Sequence, residues 1–126
     1  MNCFLSHSSC DKTWFVEQVY DRLPKETTFI DKVNFRASAY TKSEIETFLN
    51  ISQVFVYFIS NASLESGWVQ DEVKIAEELF KENKIRLFIP IILDPSISYK
   101  DSRFSPWLKN NFNLNFNPAH CFGYCK

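Results

Sequence analysis

Residues 53–93 read QVFVYFISNASLESGWVQDEVKIAEELFKENKIRLFIPIIL, and they set the architecture of the chain. The stretch begins and ends with short apolar runs, 53–59 and 85–93, which are rich in β-branched and aromatic residues and mostly lack alternation. Such runs are typical of strands buried on both faces of a parallel sheet. The segment between them, 64–82, has helical periodicity, so the stretch predicts a β-α-β unit with a right-handed crossover.

The same alternation of strand and helix extends outward from this unit. Apolar runs at 3–5 and 28–30 predict two earlier strands, and the patterns at 11–23 and 42–50 predict helices. After the unit, residues 111–117 read NFNLNFN, where apolar and polar residues alternate with a period of two. That period is typical of a strand with one buried face. We therefore expect an α/β domain whose fifth strand lies at the edge of a parallel sheet.

Length and composition fit a single domain over 1–126. The 126 residues are 45% hydrophobic and 17% aromatic, which is too apolar for a disordered chain. The formal net charge of −1 argues against nucleic acid and against a polybasic attachment to membranes. The only glycines are Gly67 and Gly123, so neither the GxGxxG nor the GxxxxGKS/T phosphate loop is present.

The four cysteines are interpreted as free thiols. No signal peptide precedes the first apolar run, and no run approaches the ~20 apolar residues of a membrane span. We therefore expect a cytoplasmic protein with reduced cysteines and no membrane partner. His120, Cys121 and Cys125 are loosely spaced and lack a fourth ligand, so no metal site is predicted.

Polar residues follow each predicted strand, and in an open parallel sheet ligands bind beyond these carboxyl ends. The residues in question are the run SHSS at 6–9, then Asp31, Ser60-Asn61 and Asp94. Each alone is explained by a turn or a helix cap, as in the capping-box pattern of Ser8 with Asp11. Three serines around His7 are nevertheless more than one cap needs.

Glu72 is the strongest candidate for a functional residue. On a helical wheel over 64–82, at about 100° per residue, Glu72 lies in the middle of the apolar stripe. A carboxylate in this position must be paired, protonated or functional, because burying a bare charge is costly. The other acidic residues of this segment are predicted on the solvated face: Asp71, Glu77 and Glu78.

Trp68 and His7 each have two interpretations. Trp68 lies one turn before Glu72, where it is either a core residue or a surface suited to a flat heteroaromatic ring. His7 ends the first strand, but no signature of a serine or cysteine nucleophile accompanies it. We therefore assign no catalytic triad.

Taken together, the motifs resemble a TIR (Toll/interleukin-1 receptor) domain, of the kind found in bacterial defence proteins. They occur in the family's order over nearly the whole chain. The matching pieces are FLSHSS-x-D-K at 4–12, FID at 29–31, SQVFVYFIS at 52–60, S-x-W-V-x-x-E at 66–72, IRLFIPIILD at 85–94 and FSPWL at 104–108.

The resemblance implies a flavodoxin-like, three-layer α/β fold with a five-stranded parallel sheet flanked by helices. It also implies that Glu72 is catalytic and that the domain cleaves the bond between nicotinamide and ribose in NAD⁺. NAD⁺ is then a substrate, and no cofactor is needed. The products are nicotinamide and either ADP-ribose or a cyclic ADP-ribose isomer, in immune or antiphage defence signalling.

The same resemblance implies where the substrate and partners bind. The candidates for contact with NAD⁺ are Ser6, His7, Ser8, Asp31, Phe35 and Trp68. Phe35 lies in 32–40, which corresponds to the family's loop that covers the pocket and mediates self-assembly, although ASA at 37–39 replaces the usual glycine. Activity is then expected on self-association, through TIR–TIR contacts and a signal-sensing domain or partner protein.

A different class of function stays open at this point. A TIR adaptor only binds other TIR domains and need not keep Glu72. A phospho-receiver shares the topology, but SHSS at 6–9 supplies none of the clustered acidic residues that it needs. A nucleoside deoxyribosyltransferase is a more distant alternative that also uses a glutamate.

Overall fold

The computed structural model describes residues 1–30 and 42–112. Within these residues four strands form one parallel sheet in the order β2-β1-β3-β4. The strands are β1 (Cys3–Ser6), β2 (Thr28–Ile30), β3 (Val54–Ile59) and β4 (Leu87–Ile92). Phe4 of β1 stacks on Phe55 of β3 at a ring-centroid distance of 5.9 Å, and Phe55 contacts Phe88 of β4 at 5.0 Å.

Helices connect the strands. After β1 the chain is helical over 9–20, with a π-helical segment, Lys12–Val16, between helix α1 and helix α2. The helices are α1 (Ser9–Asp11), α2 (Glu17–Tyr20), α3 (Lys42–Asn50), α4 (Asn61–Glu65), α5 (Gly67–Lys81) and α6 (Pro106–Asn111).

The sheet is covered on both faces. Leu5, Val56 and Phe58 pack on one face with residues of the 9–20 helical segment, whereas Phe4 and Phe55 pack on the other with α3, α5 and α6. Neighbouring strand residues point to opposite faces, so each strand supplies both cores. The predicted α/β architecture of a parallel sheet flanked by helices is confirmed.

Within the described residues the sheet has four strands, not the predicted five, and only 111 and 112 of the predicted fifth strand at 111–117 are described. Asn111 is the last residue of α6, which Pro106 opens from the first helical position, and Phe112 follows it as a bend. Phe112 packs against Trp107 and Phe88, so the chain turns back over the aromatic core here. Residues 113–117 lie outside the described part of the chain.

The helix predicted over 64–82 is wrong in its extent, because Ser66 divides it into α4 and α5. Ser66 has an extended backbone, and its side chain accepts a hydrogen bond from the Val69 amide as the cap of α5. The helix predicted at 11–23 starts earlier and ends at Tyr20. The first four predicted strands differ from the observed ones by at most two residues at either end, and the strand at 28–30 agrees in full. The helix predicted at 42–50 also has the observed bounds.

Candidate active site

The candidate site lies where the connections from the sheet diverge. β1 has β2 on one side and β3 on the other, so the helices that follow β1 and β3 leave a crevice between their carboxyl ends. Four polar residues at these two strand ends are buried: Ser6, His7, Ser8 and Ser60.

Glu72 enters this region from α5. The helix buries Val69, Val73, Ala76 and Leu79 against the sheet, and Glu72 lies among them with 6% of its surface exposed. The hydroxyl of Ser6, which is fully buried, donates a hydrogen bond of 2.7 Å to Glu72 Oε1. The carboxylate is therefore held in a fixed orientation at the end of β1.

Gln70 fixes α5 relative to the neighbouring strand. Its Nε2 donates to the Ser63 carbonyl at 2.9 Å and contacts the Tyr57 hydroxyl at 3.3 Å. Burial of Tyr57 raises the pKa of its hydroxyl, so this group stays neutral. Gln70 precedes Glu72 by two residues, and these bonds tie the first turns of α5 to β3 and α4.

His7 and Ser8 complete the end of β1. His7 is buried, and its Nδ1 lies 3.3 Å from the Leu5 carbonyl oxygen. Ser8 is the cap of α1 and accepts a hydrogen bond of 3.2 Å from the Cys10 amide. Capping accounts for a serine at this position, and its predicted contact with a ligand stays a prediction.

Trp68 lies on the surface, and its interpretation as a core residue is wrong. The side chain is 49% exposed, although the helical wheel places it beside the apolar stripe. Trp68 lies at the edge of the buried stripe of α5, whereas Val69 in the same turn is buried with 2% of its surface exposed. Trp68 therefore presents a half-exposed aromatic ring one turn before Glu72.

Asp31 and Phe35 lie outside the described residues, as does the whole of 32–40. The same holds for His120, Cys121 and Cys125. Their predicted roles stay predictions.

The sequence-based interpretation of Asp11 as half of a capping box is wrong. Asp11 is buried, and its carboxylate accepts a short hydrogen bond from the Ser60 hydroxyl and one of 3.1 Å from Trp14 Nε1. Ser60 is 49 residues away in the chain and directly follows β3. The only signal for this contact in the sequence is that an acidic residue, Asp11, comes shortly after SHSS, and an acidic residue there fits a helix cap equally well.

A second polar cluster lies beyond β4. Asn61 donates to Asp94 at 3.0 Å and accepts from Arg103 at 2.8 Å. Hydrogen bonds from Arg103 lower the pKa of Asp101 to about 2, and hydrogen bonds from Ser96 lower the pKa of Asp94. The cluster joins α4 to the chain after β4; Arg103 forms an ion pair of 2.8 Å with Asp101, whereas Asp94 is bound by the neutral groups of Asn61 and Ser96.

Glu77 differs from its predicted position on the solvated face. It is half-buried and accepts a hydrogen bond of 2.7 Å from Ser105, the cap of α6. Asp71 and Glu78 of the same helix are exposed, as the wheel predicts.

Over 1–30 and 42–112, no group of three or more His, Cys, Asp or Glu side chains is arranged to hold a metal ion. The helices of these two segments include none with the length and apolar character needed to cross a membrane.

The arrangement around Glu72 favours one kind of chemistry. A buried carboxylate, oriented by a serine hydroxyl at a ligand-binding edge, stabilises positive charge that develops on a bound molecule. Trp68, one turn earlier on the same helix, offers an exposed aromatic face to a planar ring.

Comparison with known proteins was made for the whole chain. A sequence model of the TIR domain family matches residues 3–117. No protein with curated annotation matches significantly.

Among solved structures, the TIR domains of the activated Roq1 resistosome, which directly recognizes the pathogen effector XopQ, have a similar fold. The TM-score is 0.66 at 22% sequence identity, over 79% of this chain and 62% of that chain. This chain therefore spans less than two thirds of that one, and the likeness concerns the fold.

Proposed function

The chain belongs to the TIR domain family, and on that premise we propose that it cleaves NAD⁺ between nicotinamide and ribose. The observation that carries the proposal is the Glu72 carboxylate, buried in an apolar helix face and bound by Ser6 at the β1/β3 edge. An adaptor that only binds other TIR domains need not keep a carboxylate at this position.

Glu72 is the proposed catalytic residue. Breaking the bond between nicotinamide and ribose leaves neutral nicotinamide and a ribose carbon with developing positive charge. A fixed carboxylate beside the ribose stabilises that charge and accepts hydrogen bonds from the ribose hydroxyls. Nicotinamide leaves without protonation, so a second carboxylic acid is not required.

The remaining site residues are proposed to bind the dinucleotide. Trp68, which is half-exposed one turn before Glu72, is suited to stack on the nicotinamide ring. Ser6 orients Glu72, and His7 lies next to it at the end of β1. Asp31 and Phe35 are retained as substrate contacts on the strength of the resemblance alone.

We further propose that the domain acts when assembled, in immune or antiphage defence signalling in the cytoplasm. The support is the fold shared with TIR domains of a resistosome that recognizes a pathogen effector. A signal-sensing domain or partner protein then controls activity by bringing copies together.

The proposal is tested by product analysis. Concentrated or artificially clustered protein is incubated with NAD⁺, and the products are separated by chromatography. We expect nicotinamide together with ADP-ribose if water attacks the ribose, or with a cyclic isomer if a group of the same nucleotide attacks. Absence of nicotinamide under every clustering condition would favour the adaptor function.

A further inference from the structure

Asp11 is a second buried carboxylate at the same edge of the sheet, and the proposed chemistry does not use it. It is 5% exposed, and its two described donors, the Ser60 hydroxyl and Trp14 Nε1, are neutral groups. Burying a carboxylate among neutral donors costs free energy that an apolar residue would not. Its presence here therefore calls for a role beyond packing.

The hydrogen bonds of the two carboxylates cross between the β-α units. Ser6 ends β1 and binds Glu72, which lies on the helix reached through β3. Ser60 follows β3 and binds Asp11, which lies on the helix reached through β1. Each strand-end serine thus holds the carboxylate of the other unit, and the two bonds together fix the two units relative to each other.

A continuous series of hydrogen bonds leads from Asp11 toward Glu72. Ser60 caps α4, because its Oγ accepts from the Ser63 amide at 3.1 Å while its own amide donates to Ser63 Oγ at 2.8 Å. The Ser63 carbonyl accepts from Gln70 of α5 at 2.9 Å. Asp11 therefore restrains the start of α4, and through Ser63 the first turns of α5.

We propose that Asp11 is a positioning residue, which acts through Ser60 to hold Glu72 at the end of β1. The inference rests on the proposed function for its effect on NAD⁺ cleavage. Small displacements of a reacting group lower rates strongly, about 100-fold for ~1 Å. We expect Asp11→Ala to lower kcat for nicotinamide release at least tenfold, with a smaller change in KM.

Two further variants separate this role from general stabilisation. Trp14→Phe is the matched control: it removes the other donor to Asp11 but leaves the bond to Ser60, so kcat stays within about twofold of wild type. Asp11→Asn is the conservative variant. Its amide keeps a hydrogen bond to Ser60, and it recovers most of the activity.

The deciding experiment adds a readout that needs no activity, the ¹³C resonance of the Glu72 side-chain carboxyl at pH 7. We expect this resonance to move in Asp11→Ala and to stay in place in Trp14→Phe. In a Ser60→Ala background, Asp11→Ala then causes no further movement, because the connection is already cut. If Asp11→Ala fails to fold, Ser60→Ala alone carries the test, because it cuts the same connection; an unmoved Glu72 resonance in Ser60→Ala then overturns the positioning role.

The outcomes distinguish the two proposals. An unmoved Glu72 resonance in a folded Asp11→Ala protein overturns the positioning role, whatever the activity of the wild type. A resonance that moves, in a protein whose wild type releases no nicotinamide, supports the positioning role and contradicts the proposed function.

Discussion

Ser6→Ala probes the contact on which the site depends. It removes the hydrogen bond of 2.7 Å to Glu72, where both side chains are buried, at 0% and 6% exposure. A hydrogen bond to a charged acceptor contributes about 1.5–3 kcal/mol. We therefore expect the free energy of unfolding to fall by about 2 kcal/mol.

The charge of the acceptor sets the size of this loss. In a Glu72→Gln background the acceptor oxygen remains but is neutral, and such bonds contribute about 0.5–1.5 kcal/mol. Ser6→Ala then costs about 1 kcal/mol, which leaves a coupling free energy of about 1 kcal/mol between the two residues. Urea denaturation of the four proteins, followed by circular dichroism with a common m-value, measures it.

Ser96→Ala provides the control for burial. Ser96 Oγ also donates to a carboxylate, that of Asp94, at 2.7 Å, but the pair is exposed. Its removal is expected to cost less than about 1 kcal/mol. The reasoning is refuted if Ser6→Ala costs no more than Ser96→Ala, or if its cost is the same with Glu72 and with Gln at that position.

Three further predictions concern single residues. Trp68→Ala lowers the free energy of unfolding by less than about 1.5 kcal/mol in urea denaturation, because the side chain is half-exposed, while the rate of NAD⁺ cleavage falls more than tenfold. A loss of about 3–5 kcal/mol would show instead that Trp68 is a core residue. Burial raises the pKa of Cys3 to about 11, whereas Cys10 is exposed, so peptide mapping after alkylation at pH 8 finds Cys10 modified before Cys3. Faster modification of Cys3 would contradict its burial. Arg103 lowers the pKa of the Asp101 carboxyl to about 2, and NMR titration measures this pKa. The stability that the carboxylate contributes is therefore present above pH ~3.8 and is lost as the pH falls through 2, and Arg103→Ala raises the pKa toward 3.8.

The strands were predictable because each is a short run of apolar residues that the sheet buries. The observed β1, β3 and β4 lie within two residues of the runs at 3–5, 53–59 and 85–93. The buried position of Glu72 followed from the same logic, since helical periodicity alone places it among apolar neighbours. The hydrogen bond between Glu72 and Ser6 could not be predicted from the sequence and is seen only in the folded structure.

Other features depend on where elements end and on distant contacts. The wheel places Trp68 beside the apolar stripe but cannot show how far burial extends around the helix, and Trp68 is exposed. Ser66 interrupts the helical pattern without a proline, by capping the Val69 amide. Asp11 fits a local capping box in sequence, yet its carboxylate binds Ser60 from another β-α unit. Spacing along the chain holds no information on such a choice.

The central claim is that the Glu72 carboxylate cleaves NAD⁺. The most direct measurement is nicotinamide release by clustered wild type, Glu72→Gln and Glu77→Gln, each shown by circular dichroism to be folded. Glu77 lies on the same helix and binds Ser105, so its variant controls for the loss of a helix carboxylate. We predict that Glu72→Gln loses at least 100-fold in rate while Glu77→Gln stays within about twofold of wild type. Equal rates of nicotinamide release by the wild type and by Glu72→Gln would contradict the claim.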